Sequence, residues 1–210
     1  MISAAVALEH LRVGNGAFVS DVRGISTFIV PTCRSELVSE KGPFAIVLGC
    51  ADSRVPVEVI FNQGAGDLFV IPVAGNIVAP SQVGSIECAI EQFGTRLVVV
   101  LGHSMSSAVA ATLEELERPK ENRSSSLRSI VDRIRPAVEP LWEKDLRHNR
   151  EALLQHAVRA NIQAAVYDLR HGSQILEQLI QRDELRVVGA EYSLETGIVD
   201  FYDDLAEEKA

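Results

Sequence analysis

Four short apolar runs punctuate the 210 residues: 44–49 (FAIVLG), 67–73 (DLFVIPV), 96–102 (RLVVVLG) and 185–190 (LRVVGA). Each has strand length, and each is apolar at consecutive rather than alternate positions, the pattern of a strand buried on both faces. Helical patterns fill the gaps. Residues 81–93 carry Val83, Ile86, Ile90 and Phe93 on one face, with Ser81 placed to cap them. Residues 106–117 follow the third run, 127–147 form a helix interrupted at Pro136 and Pro140, and 150–169 and 173–182 follow. Residues 5–13 and 33–40 also read as helical, whereas 14–32 are glycine-punctuated and take no assignment. A last run, 197–202, can pair with the fourth through a turn at 194–197. Strands alternating with helices predict an α/β fold, a mainly parallel central sheet flanked by helices.

A single domain is expected over 1–210, with an N-terminal helical arm (1–35), a core (36–202) and an acidic tail (203–210); the linker-like stretch 118–126 is short enough to be an internal loop. Twenty Lys and Arg against 29 Asp and Glu leave a net charge of −9, which argues against a nucleic-acid partner, because neutralising phosphates needs clustered cations. No apolar stretch approaches the ~20 residues that span a bilayer, so no membrane partner is expected. The start has no basic leader. Cys33, Cys50 and Cys88 form no CxxC pair and read as reduced thiols, consistent with a cytoplasmic location.

In parallel sheets, sites form beyond the carboxyl ends of strands. The first run leads directly into Cys50-Ala-Asp52-Ser-Arg54, and the third into His103-Ser-Met-Ser106. A thiol and an imidazole are zinc-ligand types. Asp52 and Arg54, two residues apart, would fall on one side of an extended backbone and could pair. Each residue also has a plainer role open to it: a small buried cysteine, a structural histidine, a surface salt bridge. A phosphatase-type thiol loop fails on spacing, and Gly64-Ala-Gly66 is a turn rather than a phosphate cradle. His10, His148, His156 and His171 have no partner pattern.

CADSRVP at 50–56, FNQGAGDLFVI at 61–71, AGNIV at 74–78, GSIECAIEQFG at 84–94, VVVLGHS at 98–104 and VVGAEYSLETGIVDF at 187–201 together resemble the β-class carbonic anhydrases, across roughly residues 35–202. The resemblance implies a zinc lyase interconverting carbon dioxide and bicarbonate, with one zinc per subunit, assembled as a dimer or tetramer. By position it makes Cys50 and His103 metal ligands. It makes Asp52 and Arg54 the catalytic pair, Asp52 accepting a hydrogen bond from the attacking hydroxide while Arg54 holds it. Ala74 and Gly75 would line the substrate pocket.

The same resemblance shows where this chain departs. The family's second cysteine ligand falls at Ser106, whose neutral, hard hydroxyl is a poor substitute for thiolate. Ser107 stands at a glycine position, Lys41 at a pocket glutamine, Cys88 at an apolar or aromatic pocket position and Pro72 at an arginine. Three outcomes stay open. Zinc could bind through Cys50, His103 and Asp52, with water or Ser106 fourth. Cys88 could supply a thiolate from a partner subunit, its alternative being a small core residue on the 81–93 helix. Or no metal binds, and Arg54 with Lys41 makes an anion site in a non-catalytic, metal-poor binding or assembly protein.

Overall fold

The computed structural model describes residues 2–21, 42–118, 124–142 and 148–202. In chain order its elements are α1 (Ala4–Asp21), β1 (Ala45–Gly49), α2 (Val57–Ile60), β2 (Leu68–Pro72), α3 (Pro80–Phe93), β3 (Leu97–His103), α4 (Ser107–Glu117), α5 (Ser125–Trp142), α6 (Arg150–His171), α7 (Gln174–Gln181), β4 (Arg186–Tyr192) and β5 (Val199–Tyr202). Lys41, Cys33, the 33–40 helix and the acidic tail lie outside the described residues.

The sheet order is β2-β1-β3-β4-β5. All pairings are parallel except β4 with β5, which return antiparallel through the turn closed by Gly197 N–H to the Ser193 carbonyl. The apolar runs are explained by burial on both faces. Ile46, Leu48, Val98, Val100 and Val187 face a cluster built with α3 to α7, while Ala45, Val47, Leu97, Val99, Val188 and Ala190 face α1 and α2. The chain goes from β1 outward to β2, then crosses to β3 on the other side of β1. That reversal opens a crevice beyond the carboxyl ends of β1 and β3, where open α/β sheets bind their ligands.

Three local expectations are corrected, and part of the unassigned 14–32 stretch is found to be helical. Helix α1 continues through Gly14 and Gly16 to Asp21. Gly14 is required there because a Cβ would lie 1.8 Å from the Phe61 carbonyl oxygen, so tertiary packing overrides poor propensity. Helix α5 is not interrupted: Pro136 and Pro140 are four apart on its exposed face, where water can take up the freed carbonyls. Val131, Ile134 and Val138 pin the opposite face into the core. Helix α3 begins at Pro80, which leaves Ser81 inside the first turn with no capping bond to make. Cys88 is exposed rather than a core residue, because it stands two positions after buried Ile86 and so turns about 200° away from it.

Candidate active site

The crevice gathers its groups from four places. Cys50 is the residue after β1, His103 the last residue of β3, and Ser106 the residue before α4. Gly75 and Asn76 occupy a single 3₁₀ turn after β2. That turn is locked by φ values of 71° and 44°, and a Cβ at Gly75 would meet Ile134 Cδ1 at 2.7 Å, so only glycine fits. Asn161 of α6 donates from Nδ2 to the Gly75 carbonyl at 2.9 Å, which aims the Gly75 N–H at Cys50 Sγ, 3.4 Å away.

Asp52 and Arg54 pair as the sequence predicts, but on a turn rather than an extended strand, since Val55 N–H donates to the Asp52 carbonyl. Arg54 donates from its backbone N–H and from Nε to Oδ1 at 3.0 and 2.9 Å, and from Nη2 to Oδ2 at 2.7 Å. This fork holds the Asp52 carboxyl well below the usual carboxylate range, so it stays ionised at neutral pH. The guanidinium also reaches the Met105 carbonyl at 3.5 Å, joining the β1 side of the crevice to the β3–α4 loop.

His103 is buried, and its Nδ1–H donates to the Ser104 carbonyl at 2.8 Å in the tautomer that leaves an Nε2 lone pair toward the crevice. Asp52 Oδ2 lies 3.9 Å from that Nε2. Burial alone would push the Cys50 thiol up, but the neighbouring imidazole and the N–H groups of Gly75 and Asp52 outweigh it and lower its pKa. Burial likewise opposes protonation of His103, and the Cys50 sulfur, the Ser104 carbonyl and Asp52 reverse that and raise it. Cys50 and His103 thus favour each other's charged forms, and a cation held by both would displace a proton.

Among the described residues, three side-chain atoms here are buried with no hydrogen-bond partner: Asn76 Nδ2, His103 Nε2 and Ser106 Oγ. His103 Nε2 and Ser106 Oγ can offer lone pairs to a bound species, whereas Asn76 Nδ2 can only donate. Among the described residues, no three His, Cys, Asp or Glu side chains converge tightly enough to form a complete metal group. The deficit lies at Asp52, whose 3.9 Å exceeds the edge of about 3.3 Å between tetrahedral zinc ligands held at about 2.0 Å. Cys50 and His103 are the two side chains here with zinc-ligand chemistry, and the Asp52 carboxylate lies beside His103.

Of the other sequence candidates, Ala74 and Gly75 belong to the turn that backs Cys50. Cys88 sits on the outer face of α3, with no described contact to the site. Asn161 and Asn76 were not singled out from the sequence. Asn76 stands in the AGNIV segment, and Asn161 is signalled only as a polar residue on the buried face of α6.

Comparison with known proteins decides what this crevice belongs to. The carbonic anhydrase family profile matches residues 45–199. The chain belongs to the carbonic anhydrase family. The carbonic anhydrase of Mycolicibacterium smegmatis is 34% identical over 206 residues, covering 96% of this chain and 94% of that protein. Carbonic anhydrase 2 of Mycobacterium tuberculosis is 32% identical over 193 residues, covering 91% and 89%. Among solved structures, a tetrameric β-carbonic anhydrase of Sordaria macrospora superposes with a TM-score of 0.72 at 20% identity, covering 93% of each chain, which supports the fold. The β-carbonic anhydrase CcaA superposes at 0.70 with 25% identity, covering 95% of this chain and 86% of that one.

Proposed function

We propose that this carbonic anhydrase catalyses the reversible hydration of carbon dioxide to bicarbonate in the crevice beyond β1 and β3, with one zinc per subunit held by Cys50 and His103. The observation that carries this is the arrangement of Cys50, the Arg54-clamped Asp52 and His103, its Nδ1 against the Ser104 carbonyl, at the sheet's switch point in a chain of this family. Zinc, when bound, supplies acidity, bringing the pKa of the water it carries from about 15.7 to about 7.

The remaining work falls to this chain's own atoms. Cys50 brings a thiolate whose charge is already favoured by the Gly75 N–H. His103 presents Nε2 because Ser104 occupies Nδ1. Asp52 is an acceptor only, so a water beside Oδ2 must point a proton at it and a lone pair away, toward the carbon of the substrate. Held ionised by Arg54, Asp52 orients that proton without keeping it. Positioning of this kind lowers the barrier by removing wrong orientations.

Self-association as a dimer or tetramer is part of the proposal. So is a cytoplasmic location, where the Cys50 thiol stays reduced; among the described residues no helix is long and apolar enough to cross a membrane. A second reading, a metal-poor and non-catalytic homologue, is favoured by one observation, the serine at position 106. Stopped-flow carbon dioxide hydration, with zinc per chain measured on the same sample, separates the two. Turnover that scales with zinc content supports the enzyme, and a zinc-filled protein without turnover would reject it.

A further inference from the structure

We infer that Asn161, a buried residue of α6, is a positioning residue for the reaction: through the turn at Gly75 it holds the Cys50 sulfur in its working place. This rests on the reading of Cys50 as the thiol that holds zinc, and it adds what keeps that thiol in place.

An asparagine on the buried face of a helix needs a partner for its amide. Asn161 is 3% exposed and stands among Val158, Ile162 and Ala165 on that face of α6. Its Nδ2 donates to the Gly75 carbonyl at 2.9 Å, across 86 residues of sequence. The neighbouring Ile162 explains how α6 comes close enough. It fills a notch left by glycines on adjacent strands, since a Cβ at Gly102 would lie 2.5 Å from Ile162 Cδ1 and one at Gly189 2.9 Å from Cγ2. Gly102 directly precedes His103, so the helix that anchors Cys50 is also seated on the strand that carries His103.

The turn needs such an anchor. Gly75 and Asn76 are consecutive left-handed residues, and only the first lacks a Cβ, so the turn is strained. In this shape the Gly75 N–H donates to Cys50 Sγ at 3.4 Å. Without the Asn161 amide the buried Gly75 carbonyl loses that donor. The turn then swings to find another, which draws the N–H off the sulfur. Groups that hydrogen-bond a metal ligand orient it and tune its basicity, and losing one lowers metal affinity by about 10–100-fold.

The test compares the wild type with Asn161→Leu, which keeps the volume and removes the donor, and with Asn161→Ala. The control is Asn15→Ala, which removes another buried asparagine whose bonds go to the backbone of Ile60, Gly197 and Val199, none of them in the Gly75 turn. The Gly75 amide resonance of metal-free protein labelled with ¹⁵N-glycine reports the bond to sulfur, and competition with a chromophoric chelator gives zinc(II) affinity. Both Asn161 variants are expected to move the Gly75 resonance upfield and to weaken zinc binding about 10–100-fold. Asn15→Ala is expected to lower stability yet leave the resonance and the affinity at wild-type values. If the control shifts both readouts as much, Asn161 acts only on stability and the inference fails. It fails too if whichever Asn161 variant folds keeps the wild-type resonance and affinity, and the carbonic anhydrase reading then stands. A wild type that takes up no zinc would reject the zinc reading, and with it any role for Asn161 in the reaction.

Discussion

Arg54 shows how much one half-exposed side chain can decide. Its side chain is 51% exposed, yet its guanidinium fixes both Asp52 oxygens and touches the loop that carries Ser106. A lysine could keep the charge but not the fork, because an ammonium is a point donor that cannot meet two carboxylate oxygens in one plane. Asp52 would then rotate, and the orientation it imposes on water would blur. Arg54→Lys is therefore expected to lower kcat by about 10–100-fold, the usual cost of losing a supporting contact around a metal site, while the fold is kept. Steady-state hydration kinetics on samples matched for zinc content check this; an unchanged kcat would show that Asp52 needs no clamp.

At the scale of elements, Asn15 does for the scaffold what Arg54 does for the site. It is buried in α1, donates from Nδ2 to the Ile60 carbonyl at 3.2 Å and the Gly197 carbonyl at 2.9 Å, and accepts from Val199 N–H at 2.9 Å. One side chain thus joins α1, the end of α2 and the β4–β5 turn. Asn15→Ala would strand three buried backbone groups, and a loss of about 2–4 kcal/mol is expected in a urea melt. The strands were legible in the sequence because burial on both faces leaves continuous apolar runs. The candidate site was legible as a location because Cys50 and His103 come directly at strand ends. Asn15 was not, since its partners are up to 184 residues away and carry no local pattern. The continuity of α5 was hidden for a related reason: the sequence shows two helix-breaking prolines but not that both face solvent. The β4–β5 pair gives a further prediction. Tyr202 donates to Glu191 at 2.5 Å, and burial, with that acceptor beside it, raises the phenol pKa. A raised folded-state pKa contributes stability that is full below the unfolded value of about 10 and is lost as pH rises through the folded value. The wild type should therefore lose stability in denaturant melts above about pH 10. Tyr202→Phe should be less stable at neutral pH but flatter there, and parallel alkaline slopes would rule the assignment out.

For the whole molecule, the crevice is where β1, β3, the turn after β2 and the start of α4 meet, so an ion held there by Cys50 and His103 ties the end of β1 to the end of β3, with the turn after β2 joined to Cys50 through the Gly75 N–H. The unfolded chain has no comparable site, and binding free energy therefore appears as folding free energy. At a free zinc concentration of about 100 times Kd the gain is about 2.7 kcal/mol. For a chain of this size each kcal/mol raises Tm by about 2–4 °C, so zinc should raise Tm by about 5–11 °C over the same protein in chelator. Thiolate and imidazole must shed protons to bind, so at fixed zinc the rise should shrink as pH falls from about 8 to about 6. Ser106→Cys should reach the same rise at lower zinc, because a second thiolate tightens the site. Calorimetry of the chelated and zinc-loaded protein measures each of these. A wild-type Tm indifferent to zinc, beside a Ser106→Cys variant that responds, would mean that the serine has cost this carbonic anhydrase its metal.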